Sequence, residues 1–256
     1  MIYHYNEVPI FYEQTGTGPA IVLLHGFLES STMWEEIVSA LSGKYTFIYI
    51  DLPGHGKSGV IDEVHTMELM ANVVYQLLNH LNLKNASFVG HSMGGYIALA
   101  LAEKHTTLIN HLVLLNSTTF ADSADRKKQR DRALRFIEAD KDTIVSMAIS
   151  NLFYPEVRNT YASEIKKLKE EALQFPTEGI MAAIRGMKDR KDRTDVFKNF
   201  PGEKTIVCGS KDPVVPLSVS KEMAKATGVT LKILDGSHMS WIENRSEIVK
   251  IVHFIE

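Results

Sequence analysis

Three residue types in this 256-residue chain could together turn an alcohol into a nucleophile: Ser92, Asp212 and His238. A serine hydroxyl attacks a carbonyl poorly until a neighbouring imidazole takes its proton. A carboxylate must then fix the tautomer of that ring and stabilise its charged form. Ser92 stands in Gly90-His91-Ser92-Met93-Gly94, Asp212 in Gly209-Ser210-Lys211-Asp212-Pro213, and His238 in Gly236-Ser237-His238. There are ten histidines, and His238 stands out because it follows the last apolar strand pattern. Asp235, three residues before His238, competes with Asp212 for the carboxylate role, with Glu243 and Asp51 behind it. Lys-Asp-Pro also reads as plain turn chemistry.

The elements around Ser92 have to hold it up. An apolar run from Ala86 ends at the serine, and a small-residue helical pattern (Ile97–Glu103) follows. That arrangement is strand, tight turn, helix. A turn this sharp strains the serine backbone, and the residues two positions either side must be nearly free of side chain. Gly90 and Gly94 meet that need. The Met93 N–H at the helix start is a candidate oxyanion donor. Gly26, in His25-Gly26-Phe27, permits a bend that would aim the Phe27 N–H at the same oxygen.

Along the chain, Met1–Tyr5 and Val8–Glu13 read as an edge hairpin. Ala20–Leu24, Tyr45–Ile50, His111–Leu115, Thr205–Cys208 and Leu231–Leu234 read as strands, several of them continuously apolar as in a parallel sheet covered on both faces. Helical periodicity covers Ser30–Leu41, Met67–Leu81, Val219–Ala226 and Glu247–Ile255. In open parallel sheets, ligands bind beyond the carboxyl ends of the strands. Ser92, Asp212, His238 and the Gly26-Phe27 turn each follow a strand, so all are expected on one sheet edge. Gly54-His55-Gly56-Lys57-Ser58 resembles a phosphate loop, but that motif needs glycine where Asp51 stands, and no helix follows. Asp51 and His55 are therefore read as turn residues.

From Ser117 to about Lys198 the character changes to helices with heavy charge and no strand, broken at Pro155 and Pro176. The run Asp125-Arg126-Lys127-Lys128-Gln129-Arg130-Asp131-Arg132 reads as a solvated helix face. Phe120, Phe136, Ile144, Met147, Ile149, Leu152, Phe153, Ile180, Ile184 and Met187 are expected to form this region's own core, a minority roofing a cleft over Ser92. The expected organisation is a core at 1–116, a helical insertion at 117–198 and a second core segment at 199–256.

Bulk composition narrows the partners. A formal net charge of -3 gives no electrostatic case for nucleic acid or an anionic membrane. No basic-then-apolar leader and no membrane-length apolar run is seen, so a cytoplasmic protein is the expectation. The one cysteine, Cys208, excludes an internal disulfide and reads as a buried thiol. No pair of histidines or cysteines at metal-ligand spacing and no paired acidic cluster occurs, so neither metal nor cofactor is expected. Oligomeric state is not readable.

Five segments carry a resemblance: His25-Gly26-Phe27, Asp51-Leu52-Pro53-Gly54-His55-Gly56-Lys57-Ser58, Gly90-His91-Ser92-Met93-Gly94-Gly95, Gly209-Ser210-Lys211-Asp212-Pro213-Val214-Val215-Pro216 and Gly236-Ser237-His238. Together with the chain order Ser, Asp, His, they are similar to the α/β-hydrolase superfamily. The resemblance implies a mostly parallel sheet flanked by helices, with 117–198 as an inserted helical cap. Serine at position 92 departs from the aspartate of haloalkane dehalogenases and epoxide hydrolases. The likeness is to small capped carboxylesterases and enol-lactone hydrolases. It implies a serine esterase acting on a small ester or lactone. One alternative is a carbon–carbon bond hydrolase or elimination enzyme for a carboxylated dienoate or menaquinone-type intermediate, for which a cap-facing Arg185, Arg190 or Arg193 would speak. Surface charge is the plainer reading of those three. A non-catalytic ligand-binding receptor on the same fold is the third reading.

Overall fold

The computed structural model describes residues 1–255. The strands are β1 (Ile2–Tyr5), β2 (Val8–Thr15), β3 (Ala20–Leu24), β4 (Thr46–Ile50), β5 (Ala86–His91), β6 (Ile109–Leu115), β7 (Glu203–Gly209) and β8 (Leu231–Leu234). They form one sheet in the order β1-β2-β4-β3-β5-β6-β7-β8. β1 pairs with β2, and β2 with β4, antiparallel; every later pairing is parallel. This is an α/β-hydrolase fold, as the resemblance implied.

Alternation within the central strands divides the core into two layers. Val22 and Leu24 of β3, Ile48 and Ile50 of β4, and Leu112 and Leu114 of β6 face one side. Ile21 and Leu23, Phe47 and Tyr49, and Val113 and Leu115 face the other. Successive side chains of a strand point to opposite faces, so a run apolar at every position needs a cover on both. Each fully buried side chain of this size stabilises by about 1.5–3 kcal/mol.

The covers are helices. On one face lie α1 (Glu35–Ala40), preceded by a 3-10 turn at Ser31–Trp34, and the C-terminal helix; Trp34, Ile37, Ile248 and Val252 pack there. On the other lie α2 (Met67–His80) and α3 (Met93–Lys104). α2 buries Met67, Met70, Ala71, Val74 and Leu78 at helical spacing, and Thr66 Oγ1 caps its Leu69 N–H at 3.0 Å. α3 is buried on every side from Met93 to Ala102 and begins at Met93, earlier than its apolar run suggested.

Between β6 and β7 the chain forms α4 (Ala124–Ala139), α5 (Lys141–Ser150), α6 (Ala162–Ala172), α7 (Thr177–Lys188) and α8 (Thr194–Asn199), with no strand. Then come α9 (Leu217–Thr227), α10 (Ser240–Glu243) and α11 (Arg245–His253). Two expectations for the 117–198 region fail. Phe136 and Met147 are exposed rather than buried. Arg190 and Arg193 are buried rather than surface charges: Arg190 pairs with Asp122 and lies over the Tyr96 ring, while Arg193 pairs with Glu68 at 2.7 Å and Glu103 at 3.0 Å. The partners of Arg193 sit on α2 and α3, so it pins the start of α8 to the core. Arg185 donates to the Glu63 carbonyl at 3.0 Å. No helix among the described residues is long and apolar enough to cross a membrane.

Candidate active site

Ser92 sits at the β5–α3 turn with φ 49° and ψ −111°, a conformation an L-residue adopts only when its surroundings impose it. They do so here through hydrogen bonds. The Ser92 N–H donates to the Leu115 carbonyl at 2.9 Å, and the Ser92 carbonyl accepts from Gly95 N–H at 3.0 Å and Ser117 Oγ at 2.8 Å. The flanking glycines are a matter of space. A Cβ on Gly90 would stand 2.6 Å from the Gly94 and Gly95 backbone, and one on Gly94 would run into the Leu24 carbonyl.

The structure brings the three separated segments together. His238 Nε2 lies 2.9 Å from Ser92 Oγ, and His238 Nδ1 lies 2.8 Å from Asp212 Oδ2. With an ionised carboxylate facing it, Nδ1 carries the proton, and Nε2 is left to accept from the serine hydroxyl. All three residues are buried. The His238 N–H donates to the Leu152 carbonyl at 3.2 Å, so the helical insertion helps to place the ring.

Asp212 is held as a carboxylate. Burial pushes it up, but the His238 ring, Asn116 and the Val215 N–H outweigh burial and bring it below the usual range. Its Oδ1 accepts from Val214 and Val215 N–H, each at 2.8 Å, and Asn116 Nδ2 donates to Oδ2 at 2.9 Å. The competing acids are elsewhere. Asp235 is exposed and paired with Lys211 at 3.0 Å, Glu243 bonds Ser237, and Asp51 accepts from Ser31 and Lys57 N–H as a turn residue should.

Two residues at the site went unmarked in the sequence, Asn116 and Glu29. Glu29 Oε2 faces His91 Nδ1 at 2.7 Å and accepts from Gly26 N–H at 2.7 Å, while Oε1 accepts from Trp241 Nε1 at 3.2 Å. His91 Nε2 donates to the His238 carbonyl at 3.0 Å. Both nitrogens of His91 thus face acceptors, so the ring is an imidazolium in a buried ion pair. Burial lowers His91, but Glu29 more than offsets it and the net shift is upward; Glu29, pushed up by burial, is drawn below its usual range by His91. Gly26 owes its identity to this pair as much as to any bend. A Cβ there would strike Glu29 Oε2 and stand 2.8 Å from His91 Nδ1.

Ser92 and His238 open on a cavity of about 560 Å³, large enough for a small organic ligand. Phe27, Leu152, Ile184, Met187 and Val214 supply apolar wall. The charged run of α4 is only partly a solvated face. Arg126, Gln129, Arg130 and Ala133, at helical spacing, turn toward this cavity, and Arg158 joins them. Met93 N–H, at the first position of α3, has no partner within its own helix. No group of three or more histidine, cysteine, aspartate or glutamate side chains that could hold a metal occurs among the described residues.

With this fold and this strand-end site, residues 19–245 match the alpha/beta hydrolase fold family, and the chain belongs to that family. A thermophilic esterase from Thermogutta terrifontis, solved with malate bound, is 30% identical and superposes with a TM-score of 0.90 over 96% of this chain and 92% of that one. A pimeloyl-[acyl-carrier protein] methyl ester esterase of Vibrio atlanticus is 26% identical over 230 residues, 85% of each chain. A protein of Mycobacterium phage D29 named "Putative non-heme haloperoxidase" is 28% identical over 236 residues, 89% of this chain and 83% of that one. Hydrolase chemistry is the activity these relationships support.

Proposed function

We propose that the chain is a serine hydrolase that cleaves a small carboxylic ester or lactone through an acyl-enzyme on Ser92. The observation that carries this reading is the unbroken line Ser92 Oγ, His238 Nε2, His238 Nδ1, Asp212 Oδ2, with both contacts under 3 Å. His238 Nε2 takes the Ser92 proton as Oγ bonds the carbonyl carbon. The oxygen that becomes negative is received by the Phe27 and Met93 N–H groups, each such donor contributing about 3 kcal/mol in comparable sites. The tetrahedral adduct collapses, the C–O bond breaks, and the leaving alkoxide receives the proton from His238. A water then gives its proton to His238, attacks the acyl carbon and releases the acid, returning the proton to Ser92. Asp212 remains ionised throughout. A lactone follows the same steps, with its alcohol tethered to the product.

Ser92→Ala assayed on p-nitrophenyl butyrate tests the reading. The expected result is loss of at least about a thousandfold in kcat, since serine and histidine in such constellations act as a unit. Unchanged turnover in that variant would falsify it. A carbon–carbon hydrolase uses the same three residues, and arginines on the cavity wall are the observation in its favour. Turnover of a vinylogous diketone acid with none of the ester would select it.

A further inference from the structure

We infer that the cavity above Ser92 contains a carboxylate subsite formed by Arg126 and Arg158, so that the substrate is an ester or lactone bearing an acid group away from the scissile carbonyl. The inference rests on the proposed serine-hydrolase reading for its reaction, but its binding claim stands on the charges of the wall.

The charges of that wall do not cancel. Three guanidinium groups line the cavity, those of Arg126, Arg130 and Arg158. Arg130 is answered by Asp122, which it shares with Arg190. Arg126 and Arg158 meet only neutral acceptors among the described residues. Arg126 Nη1 donates to Gln129 Oε1 at 3.1 Å; Arg158 donates from Nε to the Phe153 carbonyl at 3.2 Å and from Nη2 to Asn151 Oδ1 at 3.1 Å. Among the described residues Glu29 is the one carboxylate on the wall, and the His91 imidazolium already neutralises it. Asp212 is occupied by His238. Among the described residues the lining therefore carries at least two uncompensated positive charges, in a chain whose formal net charge is -3. A cleft with low-dielectric walls focuses such a field on whatever enters.

The residue type and its setting narrow the ligand. Guanidinium offers a planar fork of donors that matches a carboxylate in pairs, and it keeps its charge at any working pH. Neutral acceptors hold Arg158 at two of its nitrogens without discharging it, which fixes the group in advance and leaves donors over. Arg126 projects from α4 one turn before Arg130, so its direction is set by the helix rather than by a loop. The same wall carries the apolar side chains of Phe27, Leu152, Ile184, Met187 and Val214, as a short carbon chain between an acid and an ester would require. A neutral ester would leave both cations without a counter-charge and gain nothing from their charge.

The test compares paired substrates in the full chain and in the double variant Arg126→Gln/Arg158→Gln. One pair carries the acid on the acyl part: p-nitrophenyl hydrogen glutarate against p-nitrophenyl butyrate. The other carries it on the alcohol part: 4-(butyryloxy)benzoic acid against phenyl butyrate. For at least one pair, the ratio of kcat/KM for the acid over the neutral ester is expected to fall about tenfold or more in the variant, as loss of charge-assisted hydrogen bonds implies. The fall should lie in KM, and added salt should lower the parental ratio. Ratios equal in parent and variant for both pairs overturn the subsite. If the double variant does not fold, calorimetry on Ser92→Ala gives the same answer: methyl hydrogen glutarate is expected to bind at least tenfold more tightly than methyl butyrate, and equal or weaker binding overturns the proposal. Failure of the parent to hydrolyse any of the four esters counts against the esterase reading instead, and the calorimetric comparison still decides the subsite.

Discussion

Asn116 Nδ2 lies 2.9 Å from Asp212 Oδ2, the oxygen that also faces His238 Nδ1. Asn116 follows β6 with φ 47°, and its Nδ2 also donates to the Ser237 carbonyl at 3.1 Å. One amide thus ties the loop after β7 to the loop after β8, the two loops that carry the acid and the ring. Asn116→Ala removes a buried bond to a charged group, worth about 1.5–3 kcal/mol. The expected outcome is a fall in kcat of about tenfold or more on p-nitrophenyl butyrate, with KM little changed. A variant with parental kcat would mean that the Val214 and Val215 N–H groups suffice to hold Asp212.

The Glu29–His91 pair makes a prediction about stability and pH. His91, raised above its ordinary 6.5, contributes stability that is complete below that value and is lost as pH rises through its higher folded value. Glu29, lowered from its ordinary 4.5, contributes stability present above that value and lost as pH falls through its lower folded value. Both contributions are in full force between pH 4.5 and 6.5. Glu29→Gln leaves His91 buried without its counter-charge, a change that costs about 3 kcal/mol at similar sites. Thermal unfolding should show the gap between parent and variant greatest in that window and narrowing above it. A gap that widened steadily toward pH 9 would contradict the assignment of an imidazolium.

Gly94→Ala tests the turn at Ser92. The added methyl meets the Leu24 carbonyl, which belongs to a central strand and cannot give way. Overpacking of this kind costs about 1–3 kcal/mol, and the Ser92 hydroxyl would be displaced with the helix. Denaturant unfolding is expected to register the loss, together with a fall in kcat. Parental stability would mean that the β5–α3 turn is looser than its contacts imply.

Much of this arrangement is legible in the sequence. The apolar stretches 21–24 and 112–115 are strand segments buried at every position, and such segments advertise themselves by having no polar side. Ser92, Asp212 and His238 could be drawn to one edge because each ends a strand of a parallel sheet. Glu29 could not, because its meaning lies in a contact with His91, 62 residues on. Asn116 carries no type signature either, although an asparagine closing a strand is suited to its positive φ. Arg190 and Arg193 read as surface charges because Asp122, Glu68 and Glu103, which let them be buried, are remote in sequence. The α4 run is different. Its 3.6-residue period already set Arg126 and Arg130 on the face of Ala133 and Ile137, and the weight of charge hid that stripe.

The proposed reaction requires the Ser92 oxygen to form a covalent bond to the substrate's acyl carbon. Intact-mass measurement after treatment with an organophosphonate p-nitrophenyl ester tests it most directly, with peptide mapping to locate the adduct. The expected result is one phosphonyl group per chain, on Ser92, with esterase activity lost in step and no adduct on Ser92→Ala. An unmodified chain that still hydrolyses esters, or an adduct on another residue that abolishes activity, would contradict it.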